Sequence, residues 1–162
     1  NGCVWLADHL KMGSQVAIKF PKQTAHCTDL FGNETKNHVL FSNRHPHIVS
    51  ILDVGEHHGR PYMVMQYLGN GTLEDRIRKN ARANMFRSTQ SWLTAIADAL
   101  DFLHANHLIH GDVKPANILL DDSLSAYLGD LGIASSVKNL NAKDPPVSLM
   151  GSIPYLAPEV LS

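Results

Sequence analysis

Apolar and polar positions divide the chain into two territories. Through about residue 68, short apolar runs typical of strands flank one stretch of helical period. Beyond that point apolar residues recur at the 3.6-residue helical period. Val4–Ala7 and Gln15–Phe20 are rich in β-formers and predict two strands joined by a polar turn. Ile48–Gly55 and Pro61–Tyr67 predict two more, around a turn at Glu56–Arg60. Between the pairs, Phe31, Glu34, His38 and Phe41 fall at i, i+3, i+7 and i+10. That spacing predicts a helix over 29–43, with Thr28 or Asp29 as its cap.

Gly69-Asn70-Gly71 is a flexible break and sets a boundary between residues 1–68 and 69–162. Thr72 is placed to cap a short helix, with Asp75 at its third position. A basic loop is expected from Arg76 to Arg87. A longer helix is expected over 88–105, capped by Ser88. There Trp92, Ile96, Leu100 and Leu103 share one stripe, with Leu93 and Ala97 beside it. Asp121-Asp122-Ser123 predicts a turn, Ala126–Leu128 a short strand, and 133–150 a polar loop. The pattern is α+β, with a β-rich first part and a mainly helical second part.

Composition narrows the class without deciding function. At 162 residues the chain suits one domain, or two small lobes sharing a cleft. It is 44% hydrophobic and 18% charged, enough to build a core. A formal net charge of −1 gives no basic excess for nucleic acid. No apolar run is long enough to span a bilayer, and no signal peptide is evident. Cys3 and Cys27 read as free thiols of a reducing compartment, so a cytoplasmic location is expected. Ten histidines are many for this length. His45-x-His47 and His57-His58 suggest zinc, but no Cys or third His stands at site-like spacing, so no zinc site is expected.

The candidate chemistry concentrates in residues 110–120, HGDVKPANILL. An aspartate (Asp112) can orient and deprotonate a hydroxyl, an asparagine oxygen (Asn117) can hold Mg²⁺, and a lysine (Lys114) can neutralise a moving phosphate. This stretch resembles the catalytic loop of eukaryotic-type protein kinases, H-R-D-x-x-x-x-N, with Gly111 in place of the arginine. Val16-Ala17-Ile18-Lys19 resembles the V-A-I-K strand, and Gly2-Cys3-Val4 the end of the glycine-rich loop. Phe31-x-x-Glu34 resembles the αC helix, and His45-Pro46-His47-Ile48-Val49 the turn after it. Gly129-Asp130-Leu131-Gly132 resembles D-F-G, with leucine in place of phenylalanine and thirteen residues after Asn117. Residues 151–159, GSIPYLAPE, resemble the G-T-x-x-Y-x-A-P-E segment. The resemblance covers essentially the whole chain, and its style is most like that of bacterial members.

The resemblance implies a bilobal kinase-like fold, truncated at both ends, with its N-lobe and hinge in 1–68 and the first half of its C-lobe in 69–162. It implies a protein serine/threonine kinase that uses ATP and Mg²⁺ on protein substrates. Lys19, held by Glu34, would grip the α- and β-phosphates, and Asn117 and Asp130 would hold Mg²⁺. Asp112 would accept the hydroxyl proton, Lys114 would steady the γ-phosphate, and Ser152 would bond Asp112. Gly2, Val4, Ala17, Met65 as gatekeeper, Gln66, Leu68 and Leu119 would line the nucleotide site. Gly111 implies a non-RD enzyme that needs no activation-loop phosphate, so alanine at Ser135, Ser136 and Ser148 should leave activity intact. Two alternatives stand beside this reading. One is a nucleotide-binding pseudokinase or scaffold, suggested by Leu131 and the clipped glycine loop. The other is an inactive fragment of an active kinase. It would lack the first strand and a partner for Glu159, and it would leave the apolar face of 92–103 partly uncovered.

Overall fold

In the computed structural model, residues 2–20, 35, 39–79, 82–131, 135–136, 152–156 and 158 are described, with the backbone alone for 82–88 and 135–136. The first part is a four-stranded antiparallel sheet in the order β1-β2-β4-β3. Its strands are β1 (Cys3–His9), β2 (Ser14–Phe20), β3 (Ile51–His57) and β4 (Arg60–Gln66). The β1–β2 pair is longer than its apolar core predicted, because the ladder runs on from Cys3↔Phe20 to His9↔Ser14. The β3–β4 turn consists of His58 and Gly59, both with positive φ (50° and 72°). Such a two-residue turn matches the twist of the flanking strands.

Two sequence expectations are corrected in the strands. Ile48–Ser50 were expected to open β3, which begins only at Ile51. Ile48 instead forms a parallel bridge to Leu128, and the Val49 N–H donates to the Leu128 carbonyl at 2.9 Å. Their apolar side chains are buried against the second half of the chain, a tertiary pairing that overrides local strand continuity. Residues 135–136, expected in a loop, form β8 (Ser135–Ser136) against β5 (Leu108–Ile109). Of the helix expected over 29–43, residues 35 and 39–41 are helical, and a 3-10 turn, Ser42–Arg44, ends it. Glu34 and Gly132 lie outside the described residues, as do Ser148 and Glu159.

The second part begins with α1 (Leu73–Arg78). Its N-cap is as the sequence predicted. The Thr72 hydroxyl oxygen accepts from the Asp75 N–H at 3.1 Å, and the Asp75 carboxylate accepts from the Thr72 N–H at 3.1 Å. The basic loop expected from Arg76 to Arg87 is not there. Arg76–Arg78 close α1, and α2 (Arg82–Ala105) starts six residues before its expected cap at Ser88. Arginine, alanine and methionine are good helix formers, and no Gly or Pro interrupts them, so propensity carries the helix through.

Helix α2 buries Trp92, Ala95, Ile96, Ala99 and Leu103 against Leu108, Ile118, Leu120, Ala126, Leu128 and Leu131. Leu93, expected at the edge of this stripe, is exposed. A fully buried leucine contributes about 1.5–3 kcal/mol. This core therefore fixes two short strands, β6 (Ile118–Leu120) and β7 (Ala126–Leu128), which pair antiparallel. The Trp92 indole N–H also donates to the Leu124 carbonyl at 2.7 Å, pinning the β6–β7 turn to α2.

Candidate active site

β6 and β7 carry the chemistry at their ends. Asn117 immediately precedes β6, and Asp130 lies two residues beyond β7. The Gly129 N–H donates to the Asn117 carbonyl at 2.9 Å, so the two ends are stitched together. His110 adds a second stitch. Its Nδ1 accepts the Asp112 N–H at 3.2 Å, which places the proton on Nε2; Nε2 then donates to the Gly129 carbonyl at 2.9 Å. Burial is the largest influence on this imidazole and lowers its pKa. The Gly129 carbonyl and the charges of Asp130 and Asp112 offset that only in part.

Asp112 is buried and surrounded by donors. Lys114 Nζ reaches its Oδ2 at 2.6 Å, Asn117 Nδ2 reaches the same oxygen at 3.1 Å, and the Ser152 N–H reaches Oδ1 at 2.9 Å. Asn117 Nδ2 also donates to the Asp112 carbonyl at 2.8 Å. Burial pushes the Asp112 carboxyl up. The hydrogen bonds from Lys114 and Ser152, with the lysine charge, outweigh it and hold the pKa below the usual carboxylate range. Lys114 in turn donates to the Ser152 hydroxyl at 2.7 Å. Residues 40 positions apart in sequence thus converge on one carboxylate.

Lys19 supplies the second cluster. It is buried on β2, and its Nζ donates to Asp130 Oδ1 at 2.9 Å across 111 residues of chain. A buried ammonium requires such a partner. Asp130 has φ of 58° and Gly111 has φ of 78°, both in the left-handed region. Backbone strain of this kind at a non-glycine residue concentrates at functional sites. At position 111 glycine removes the steric cost.

The residues expected to line a nucleotide lie on the sheet, on the segment that follows it and on β6. The sheet register sets Val4 opposite Lys19, Leu6 opposite Ala17, and Met65 opposite Ala17. Val4, Leu6, Ala17 and Lys19 therefore share one sheet face. Gly2 is half-buried where β1 begins, and the Gln66 N–H donates to the Ser50 carbonyl at 2.9 Å. Leu68 is buried after β4, and Leu119 is bridged to Thr72 at the other end of the break. Nothing local in the sequence reveals the bond from His110 to Gly129.

The oxygen chemistry of Asn117 and Asp130 fits a hard divalent cation. The Asn117 NH₂ group is committed to Asp112, so its side-chain carbonyl oxygen would be the atom to meet a cation, and Asp130 offers a carboxylate. Among the described residues no group of three or more His, Cys, Asp or Glu forms a metal cage. A two-residue oxygen set is what a cation shared with substrate phosphates uses.

Comparison with known proteins agrees with this geometry. A family model described as protein kinase domain matches residues 1–162. The chain is 35% identical over 117 residues to the liver/testis gamma catalytic chain of phosphorylase b kinase from Mus musculus, covering 72% of this chain and 28% of that protein. It is 31% identical over 163 aligned positions to the carbon catabolite-derepressing protein kinase of Candida glabrata, covering 99% and 26%. The Homo sapiens phosphorylase b kinase gamma chain is 31% identical, covering 94% and 39%. The chain thus spans well under half the length of these curated relatives. With the α+β architecture, the carboxylate–lysine–asparagine cluster and a family match over its whole length, the chain belongs to the protein kinase domain family.

Proposed function

We propose that this chain is the catalytic part of a protein serine/threonine kinase, transferring the γ-phosphoryl group of ATP to Ser or Thr hydroxyls of proteins. The observation that carries the reading is Asp112, held ionised between Lys114, Asn117 and the Ser152 N–H. Phosphoryl transfer passes through a loose transition state, so the protein must position and neutralise. Lys19 binds the α- and β-phosphates. Lys114 neutralises charge on the transferring group from the position its bonds to Asp112 and Ser152 give it. Asp112 orients the acceptor hydroxyl and takes its proton once the γ-phosphorus has parted from the bridging oxygen, which leaves with ADP, and the new P–O bond to the acceptor has formed. A carboxylate of lowered pKa is a weak base, which suffices where deprotonation comes after bond making. Asn117 and Asp130 would hold Mg²⁺, which neutralises charge on the β- and γ-phosphates.

Residues 1–68 supply the nucleotide roof and hinge, and 69–162 the acceptor side. Lys114 paired with Ser152 favours Ser/Thr over Tyr acceptors. A cytoplasmic site of action, where ATP and such acceptors are at hand, belongs to the same proposal. The test uses the full-length protein with labelled Mg-ATP and matched peptides bearing Ser, Thr or Tyr. Label is expected on Ser and Thr, falling at least about 100-fold in Asp112→Ala. Transfer confined to Tyr, or transfer that survives the substitution, would overturn the proposal.

A further inference from the structure

His45 sits where the sheet, α2 and β7 meet. Its Nδ1 accepts the His47 N–H at 3.2 Å, so the neutral ring carries its proton on Nε2, which lies 3.1 Å from Asp98 Oδ2 on α2. The ring stacks on Phe102 of α2 at 5.1 Å between centroids and 29° between planes. Phe102 also receives Phe41 edge-on at 6.2 Å, and the Arg44 guanidinium lies over it at 5.9 Å. The end of the helical segment and the turn after it are thus seated on one aromatic ring. Asp98 is largely exposed, whereas His45 is nearly covered.

Beyond His45 the chain runs beside β7. The Leu128 N–H donates to the His47 carbonyl at 2.7 Å, the Val49 N–H donates to the Leu128 carbonyl at 2.9 Å, and His47 Nδ1 meets the Ala126 carbonyl at 3.1 Å. Residues 47–49 therefore act as a third strand beside β6 and β7. Leu128 lies two residues before Asp130. The segment runs straight into the sheet: the Gln66 N–H on β4 donates to the Ser50 carbonyl at 2.9 Å, and the Ile51 N–H on β3 donates to the Ser42 hydroxyl at 3.2 Å. Any slip of 45–49 moves the strand that delivers Asp130 relative to the sheet that delivers Lys19.

We propose that His45 is a positioning residue: clamped by Asp98 and Phe102, it fixes the register of 45–49 on β7 and so holds Asp130 opposite Lys19. The role of Asp130 here rests on the kinase reading above. His45→Asn keeps an acceptor for the His47 N–H but loses reach to Asp98 and the ring stack. Asp98→Ala removes the partner at an exposed helical site, where alanine is well tolerated.

The test is a double-mutant cycle in the full-length protein, reading the Mg²⁺ concentration for half-maximal rate at saturating ATP. Each single variant is expected to raise it roughly three- to tenfold, with KM for the peptide unchanged, and the double variant no further than the worse single. Amide exchange at Leu128 and Val49 is expected to quicken in both singles. A lower melting temperature with unchanged Mg²⁺ dependence and unchanged exchange would overturn the proposal, as would additive effects. If the wild type transfers no phosphate, the kinase reading fails; Mg²⁺-dependent nucleotide binding in the same variants, with the exchange rates, then decides the role of His45 separately.

Discussion

Asp112 receives a lysine, an asparagine amide and a backbone N–H, and a carboxylate so held stays ionised into acid. Its environment predicts that the acidic limb of kcat/KM set by Asp112 lies below the ordinary carboxylate range. Removing the hydroxyl that Lys114 also holds, by Ser152→Ala, is expected to lower kcat roughly tenfold with little change in KM for ATP, since a hydrogen bond to a charged group is lost. Steady-state kinetics at saturating peptide checks this, and an unchanged kcat would sever Ser152 from the chemistry. His110 predicts a stability effect of defined sign. Its folded pKa is depressed by burial, so between that pKa and about 6.5 the unfolded chain binds more protons than the native one. Stability from His110 is full above the unfolded value and falls as pH drops through this window. Urea midpoints at pH 7.5 and 5.5 should differ more for the wild type than for His110→Gln. Gly111, at φ of 78°, predicts that Gly111→Ala costs about 1 kcal/mol, because L side chains are strained there.

The elements show what a local pattern carries and what it does not. The β1–β2 and β3–β4 hairpins were legible because alternation and turn residues act over a few positions. The Thr72–Asp75 cap was legible for the same reason. The destination of Ile48–Ser50 was not, because its partner, Leu128, lies 80 residues downstream and an apolar run reads alike in either pairing. The early start of α2 was hidden by charge: a basic stretch looks like a loop, yet its residues favour a helix. Among candidate site residues, Asp112, Lys114, Asn117 and Ser152 were named by motif and meet in the structure, and Asp130 meets Lys19, whereas the His110 stitch depends on a backbone carbonyl that leaves no mark in sequence. The packing of α2 carries its own prediction. Trp92→Phe keeps most of the buried ring but leaves the Leu124 carbonyl without its donor, and is expected to cost about 1 kcal/mol in chemical denaturation. No loss would show that the turn is held by packing alone.

At the scale of the molecule, the site exists only because distant parts meet. Lys19 belongs to the sheet and Asp130 to the strand pair under α2, and their contact closes 111 residues of chain. No pattern within one element encodes that distance, and the family resemblance paired Lys19 with Glu34, which lies outside the described residues, rather than with Asp130. Under the proposed kinase reading, Lys19 and Asp112 are therefore expected to separate kinetically. Lys19→Met should weaken ATP binding and slow transfer together, while changes at Asp112 should slow transfer alone. The most direct measurement is the single-turnover rate of phosphate transfer from pre-bound Mg-ATP to a serine peptide, in the full-length protein and in its Asp112→Asn variant. The account predicts a fall of about 10²- to 10⁴-fold with nucleotide affinity retained. Equal rates in the two proteins would contradict it.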